Sequence, residues 1–404
     1  MYRFIYPSKD AYIYELKTND EKNFGSDDTL VLKKDFSGID GLNGVSRILL
    51  KFDFTEISKS IVSGDISNPN YYLRLYEKDS SELSLEYQLN AYALSQSWEE
   101  GTGYTTQDPN SRNGVSWEKS DERLSHLSWS AGGISSVEIS MDSASKPMEL
   151  GHPHLDTGNR KTGGGIWYDE GGIENDIASV SSQSFSNQSP NIEMNVTDIV
   201  NRWVDGTRQN EGFIIKWDTN DSNLNSTSQS QEDSTSITGD INFYSIDAQS
   251  IFSPKVEVRW DDHLPCTGSN TGSLTQITID GTKDNYLYMI NLKKTYKETE
   301  TPKFRIGGRE RYQTKTVSTT KSTTSPLFVP EGSGSYSIID VGTGETLVPF
   351  GDNSLLSCDS KSNYFKLNMK EFITNKSYKI KIRIQLDDGR YNIFDDNFNF
   401  KVVN

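Results

Sequence analysis

The chain has 404 residues, of which 33% are hydrophobic and 11% aromatic, and a formal charge of −16 at neutral pH. This length exceeds the usual single-domain size and predicts two or three domains, each large enough to hold a core. The charge is uneven: residues 1–265 carry 22 Lys and Arg against 42 Asp and Glu, while residues 266–404 carry 19 against 15. An acidic N-terminal part argues against nucleic-acid binding, which needs clustered cations to meet phosphate. No run of about 18 apolar residues occurs, and Met1-Tyr-Arg-Phe-Ile-Tyr-Pro7 lacks a signal-peptide core. The expectation is therefore a soluble chain with no membrane partner and no classical export signal.

Apolar and polar residues alternate first at Asp10-Ala-Tyr-Ile-Tyr14. A turn at Asn23-Phe-Gly-Ser26 and a strand at Thr29-Leu-Val-Leu32 follow. Ser46-Arg-Ile-Leu-Leu-Lys-Phe-Asp53 is apolar on both faces, as a central sandwich strand is. Tyr71–Tyr76 and Leu85–Leu94 continue the pattern, which returns at Ile192–Val196, Gly212–Trp217, Ile241–Tyr244 and Lys255–Arg259. The reading is about nine strands around a single helix. That helix spans Val196–Val204, with Thr197 or Asp198 as cap, an apolar stripe of Ile199, Val200, Trp203 and Val204, and a stop at Asp205-Gly206.

Between about residues 100 and 190 the sequence is rich in Ser, Gly and Asn, yet Trp117, Trp129, Trp167 and Tyr168 fall in it. Such side chains are costly to leave loose, so an ordered loop layer over one sandwich edge is expected. Asp218–Ser236, nearly all Asn, Ser, Thr, Gln and Asp, reads as an exposed loop. Residues 263–275 read as a linker between a domain at 1–262 and another at 276–404. Beyond the linker, strands are expected at Leu274–Ile279 and Tyr286–Leu292, and Val317–Pro326 reads as a loop or edge strand. The chain ends strand, turn, strand. Tyr378, Ile380, Ile382, Ile384 and Leu386 share one strand face, Asp388-Gly389 suits a tight hairpin, and Tyr391–Val403 returns.

Two resemblances follow from these strings. In order, Asp10-Ala-Tyr-Ile13, Asn23-Phe-Gly25, Arg47-Ile-Leu-Leu-Lys-Phe-Asp53, Leu73-Arg-Leu-Tyr76, Trp98-Glu-Glu-Gly101, Val196–Trp203 and Asn210-Glu-Gly-Phe-Ile-Ile215 resemble the DNRLRE-type domain. This resemblance implies a non-catalytic jelly-roll β-sandwich similar to carbohydrate-binding modules. The chain departs from that family in the length of its insertion. Separately, Pro302–Lys315, Tyr378–Ile384 and Phe394–Val402 look like the C-terminal module of virion proteins from marine and cyanobacterial tailed phages. That likeness implies a particle component.

Chemistry-bearing constellations are sparse. Gly151-His-Pro-His154 with Asp156 offers imidazole and carboxylate, but no third or fourth ligand at recognisable spacing, so no metal or other cofactor is expected. The adjacent carboxylates Glu99-Glu100, Asp261-Asp262, Asp387-Asp388 and Asp395-Asp396 point to opposite faces in a strand and make poor acid/base pairs. Glu99-Glu100 is better read as structural, at a sandwich corner. Gly163-Gly-Gly165 and Gly307-Gly308 read as turns or bulges. Cys266 and Cys358 are taken as free structural thiols, a disulfide being open in an oxidising medium. For sugar recognition the exposed aromatic candidates are Trp129, Trp167 and Tyr168, weighed against an anchoring role for the insertion.

The resulting expectation is an all-β chain: an N-terminal jelly-roll sandwich with a long loop insertion and one short helix, then a C-terminal Ig-like β-sandwich. Its function is expected to be non-enzymatic, as a tailed-phage virion component of the neck or tail. The expected partners are portal, neck, tail or capsid proteins and copies of itself in a symmetric assembly, with a host surface glycan as a further one. The alternatives are a carbohydrate-binding adhesin or receptor-binding module, or a head decoration protein.

Overall fold

In the computed structural model the described residues are 1–15, 22–36, 43–107, 111–123, 129, 139–143, 162–168, 180–217, 238–312 and 327–404. They fall into two compact units: a larger one of Ile5–Asp65 and Asn70–Glu257, and a smaller one of Met1–Phe4, Ile66–Pro69 and Val258–Asn404. Both are built from strands, and the chain is all-β as its alternation implied. Among the described residues no helix is long and apolar enough to cross a membrane.

The chain runs through β1 (Tyr2–Ile5), β2 (Pro7–Tyr14), β3 (Thr29–Phe36), β4 (Asn43–Phe52), α1 (Thr55–Val62), β5 (Asn70–Leu75), β6 (Glu77–Ser81) and β7 (Glu86–Ala93). Then come β8 (Ile139–Ser143), β9 (Thr162–Tyr168), β10 (Val180–Ser186), β11 (Ile192–Asn195), α2 (Thr197–Val204), β12 (Phe213–Trp217), β13 (Gly239–Tyr244) and β14 (Lys255–Arg259). In the larger unit β10, β7, β12, β4, β3, β13 and β6 lie side by side, and β2 pairs with β4 as well. A second sheet sets β14, β5 and β11 side by side. On β5, Arg74 ties its neighbours by pairing with Glu193 of β11 at 2.7 Å and the buried Glu257 of β14 at 2.9 Å.

β4 is buried on both faces, as its composition implied. Ile48, Leu50 and Phe52 share a face with Phe213 and Ile215 of β12. There Phe213 meets Phe52 and Trp203, and Phe54 meets Tyr71 of β5. The opposite face presents Val45, Leu49 and Ile214 to a second apolar cluster. Among the described residues two α-helices occur where one was expected. α1 lacks the apolar stripe that marks a helix, since Ile57 alone is buried in it. Its start is fixed instead by Asp53, whose carboxylate accepts from the Thr55 N–H and hydroxyl at 2.9 and 2.6 Å. α2 buries Ile199, Val200 and Trp203 as expected, but neither Thr197 nor Asp198 caps it. Asn195 Oδ1 takes the Thr197 N–H at 3.1 Å. β6 and β10 escaped notice because their Ser-rich sequences carry no apolar alternation.

The smaller unit contains β15 (Asn285–Met289), β16 (Thr295–Lys297), β17 (Lys303–Glu310), β18 (Gly334–Asp340), β19 (Thr346–Val348), β20 (Ser357–Asp359), β21 (Ser362–Lys366), β22 (Ser377–Gln385), β23 (Tyr391–Phe394) and β24 (Asn399–Val403). One sheet has the order β15-β17-β21-β20, the other β16-β24-β22-β18-β19 with β23 beside β22. Aromatic side chains join the two. Phe365 stacks on Tyr336 at 4.0 Å, and Phe304 packs on Phe365 and Phe400. β22 alternates buried and half-exposed as read, and Gly389 takes φ +83° in the hairpin. The return expected as one strand is broken. Ile382 faces Phe394 and Tyr378 faces Phe400, so the partner strand inserts two extra residues, with Asn397 at φ +57°. Leu274–Ile279 forms a single bridge, Gln276 to Phe328, rather than a strand.

The expectation of free thiols is corrected. Cys266 and Cys358 form a disulfide, buried with Phe328 and flanked by Asn363, whose Nδ2 lies 3.3 and 3.0 Å from the two sulfurs. Sequence spacing has no means of judging whether two Cα atoms 92 residues apart come within bonding range. Gly307-Gly308 is likewise no turn, since both glycines lie inside β17.

Candidate functional site

Two sequence strings that looked independent meet at one corner of the larger unit. Asn23 is fully buried, and its amide donates to the carbonyls of Glu100 at 2.6 Å and Val115 at 2.8 Å, while its Oδ1 accepts from the Gly103 N–H at 2.7 Å. Gly25 is required beside it, because a Cβ there would meet the Glu100 carbonyl at 1.9 Å. The Asn-Phe-Gly turn and the Trp-Glu-Glu-Gly segment thus form one clasp. Glu100 also accepts the Asp10 N–H at 2.7 Å, and Glu99 pairs with Lys9 at 3.0 Å. Asp10 is 1% exposed and accepts from the Ile246 N–H at 2.8 Å. Burial pushes its carboxyl up to about 7, against that hydrogen bond and with help from Glu100. Burial raises Glu100 as well.

Above this corner the insertion forms an aromatic layer on the free face of the larger sheet, not at its edge. Trp98, Val115, Trp117, Trp129 and Trp167 pack with Ala11, Ile13, Val45, Leu49, Tyr92 and Ile214. Trp129 and Trp167 are each 2% exposed, so neither offers an open ring face for a sugar. Trp129 Nε1 donates to the Ser116 carbonyl at 3.0 Å. Trp167 is flanked by two buried cations, with Lys216 Nζ 4.6 Å and Arg47 Cζ 5.3 Å from its centroid. Arg47 also lies 4.8 Å from Trp117 and donates to the Gly164 carbonyl at 2.6 Å. Tyr168 sits half-buried at the margin of the layer, under the guanidinium of Arg208 at 4.1 Å. The structure therefore brings the three candidates together, with only Tyr168 near solvent.

A polar ladder runs from beneath the layer along β7 to open surface. Asn90 Nδ2 donates to Tyr92 Oη at 2.9 Å, Gln88 Nε2 to Asn90 Oδ1 at 3.1 Å, and Ser184 Oγ on β10 to Gln88 Oε1 at 3.1 Å. Ser182 and Ser184 are exposed, Gln88 is half-buried, and Asn90 is buried. Such a row, paired internally and ending in exposed hydroxyls, suits hydroxyl-rich ligands. His152, His154 and Asp156, weighed as metal ligands, lie outside the described residues, as do Asp218–Ser236 and residues 317–326. Among the described residues no group of three or more His, Cys, Asp or Glu side chains is placed to hold a metal ion.

Residues 2–121 match carbohydrate-binding module family 96. This stretch carries the clasp, β7 and the start of the aromatic layer. No curated protein matches the chain. Among solved structures, the adhesin domain of Epf from Streptococcus pyogenes aligns over 98% of both chains at 8% identity, with a TM-score of 0.17. That superposition is too poor for the two folds to be equated. The family match covers none of residues 302–404, where the likeness to virion proteins was read.

Sequence reading missed the buried cations of the aromatic layer. Arg47 and Lys216 sit in apolar strands, where an isolated charge reads as solvent-facing. The signal was that Arg47 interrupts a strand buried on both faces.

Proposed function

We propose that the chain is a non-catalytic carbohydrate-binding protein. It corresponds to the adhesin or receptor-binding alternative among the sequence expectations, with the larger unit taking a glycan on the exposed end of the β7–β10 face, at Gln88 and Ser184. The match of residues 2–121 to a carbohydrate-binding module family carries this reading. The ladder of Ser184, Gln88 and Asn90 supports it, because sugar hydroxyls exchange hydrogen bonds with amides and hydroxyls at little desolvation cost. The Cys266–Cys358 bond supports an oxidising destination. Placement in a tailed-phage virion, with neck, tail or capsid partners, is a separate proposal that rests on the resemblance of residues 302–404 alone.

The test is retention of the full chain on immobilised neutral and acidic polysaccharides, with Gln88→Ala as the variant. Binding to at least one polysaccharide is expected, weakened roughly five-fold by loss of the amide. A chain retained by none would end the carbohydrate reading. Binding unmoved by Gln88→Ala would take the glycan off the β7–β10 face.

A further inference from the structure

The smaller unit carries an open face that sequence reading passed over. On the face of β17 opposite the core stand Lys303, Arg305, Gly307 and Arg309. Across from them, Tyr288 pairs with Gly307 and Tyr286 with Arg309 on β15, while Tyr364 pairs with Arg305 and Lys366 with Lys303 on β21. A Cβ at Gly307 would lie 2.6 Å from Tyr288 Cζ, so the missing side chain lets that ring lie across the strand. Tyr286 continues it, nearly parallel at 18° with centroids 6.5 Å apart, and Arg309 covers Tyr286 at 4.6 Å. Both tyrosines are half-buried, in contrast to the tryptophans of the larger unit.

Beside this platform lies a cavity of about 460 Å³ lined by Asn291, Lys293, Tyr296, Glu300, Lys303 and Arg305. Its cations are unevenly neutralised. Arg305 forks onto Asp359 at 2.8 and 2.7 Å, with Lys303 at 3.4 Å from the same carboxylate. Lys293 is 65% exposed and reaches Glu300 only at 3.8 Å. Among the described residues Arg309 pairs with no carboxylate, and its Nη1 donates to the Glu310 and Arg311 carbonyls at 3.3 Å. Lys366, exposed on β21, stands opposite Lys303 in register and adds a further positive charge to the face.

We propose that this face and cavity bind an anionic polysaccharide, with sugar rings stacked on Tyr286 and Tyr288 and their carboxylates or sulfates met by Arg309, Lys293 and Lys303. From Lys303 to Arg309 the strand covers about 20 Å, enough for several sugar rings. Stacking orients the ring and the cations select the charge, since guanidinium matches a planar or tetrahedral oxyanion with two donors. A nucleic acid would also meet cations and stacking rings. It is disfavoured because two of the three cations already meet carboxylates, Lys303 with Asp359 and Lys293 near Glu300, which leaves too sparse a positive row to track a phosphate backbone. The site lies outside residues 2–121 and does not depend on glycan capture by the larger unit.

The experiment is calorimetric titration of the full chain with polygalacturonate oligosaccharides, dextran sulfate and a poly-dT oligonucleotide. Binding of polygalacturonate or of dextran sulfate is expected, and which of them binds tells carboxylate from sulfate recognition. Lys293→Gln with Arg309→Gln should weaken it at least ten-fold. Tyr288→Leu, which keeps an apolar cover over Gly307 but no flat ring, should weaken it several-fold, with the urea midpoint of all variants held. Failure of both acidic polymers to bind, affinity unchanged in the double variant, or tighter binding of poly-dT than of either polymer would overturn the proposal.

Discussion

Each unit sets cations over aromatic rings on a sheet face, and the two arrangements differ in what covers them. In the larger unit Arg47 and Lys216 lie against Trp117 and Trp167 and are almost wholly buried. In the smaller unit Arg309 lies over Tyr286 on an open face. The same chemical pair is therefore structural in one place and available for recognition in the other, because a buried guanidinium must spend its donors on the protein. The sharpest way to break this contrast is truncation of each arginine. Arg47→Ala removes the hydrogen bond to the Gly164 carbonyl and leaves a void between two indoles. A loss of about 3–4 kcal/mol is expected in urea denaturation. Arg309→Ala should change stability by no more than about 0.5 kcal/mol. Equal effects from the two would dissolve the distinction.

The units also differ in how they are fastened. In the smaller unit Cys266 and Cys358 close a loop across 92 residues, so Cys266→Ser with Cys358→Ser should cost about 2–4 kcal/mol, read as a lower urea midpoint for that unit alone. In the larger unit the comparable point is the buried Asp10 carboxyl beside Glu100. Folded, Asp10 keeps its proton up to about pH 7, whereas in the unfolded chain it loses it near pH 4. Between those limits the folded state binds more protons at this site, so the contribution of Asp10 to stability is fully present below about pH 4 and is lost as pH rises to 7. Glu100, raised in the same direction, adds to this trend. Asp10→Asn keeps an acceptor for the Ile246 N–H and cannot ionise. The expected outcome is a flatter stability profile between pH 5 and 8, with a gain of about 2 kcal/mol at pH 8. A decline as steep as in the parent chain would place the titrating group elsewhere.

What was legible in the sequence follows the physics of each element. Buried strands announced themselves, β22 through a period-two pattern and β4 through a run apolar on both faces, and α2 showed its stripe. Polar edge strands such as β6 and the short helix α1 gave no such signal, because neither buries a continuous face. The candidate site was harder to read. Trp129, Trp167 and Tyr168 were singled out as aromatic, but aromaticity does not tell an open ring from a covered one, and two of the three are covered. Asn23 and Glu100 are 77 residues apart and became one clasp only in three dimensions. The platform of the smaller unit left two separate marks in the sequence, Tyr286 and Tyr288 spaced by two and the Gly307-Gly308 pair, which only the β15–β17 pairing brings together. It was obscured by the habit of reading paired glycines as turns.

Gly307 and Gly308 allow the finest form of the comparison, since they are adjacent and point to opposite faces of one strand. A Cβ at Gly308 would meet the Leu327 carbonyl at 3.0 Å and Ile277 at 3.1 Å. The Leu327 backbone is held there by its own hydrogen bonds to Gly308, at 2.9 and 2.8 Å. Gly308→Ala should therefore cost about 1 kcal/mol or more in stability. At Gly307 the obstacle is the far end of the Tyr288 side chain, which can swing aside, and alanine is better tolerated than glycine in a strand. Gly307→Ala is expected to leave the urea midpoint within about 0.5 kcal/mol of the parent chain. It should alter the near-ultraviolet tyrosine circular dichroism and weaken polygalacturonate or dextran sulfate binding. A stable Gly307→Ala protein that binds these polymers as tightly as the parent would mean that the flat ring of Tyr288 is packing and nothing more.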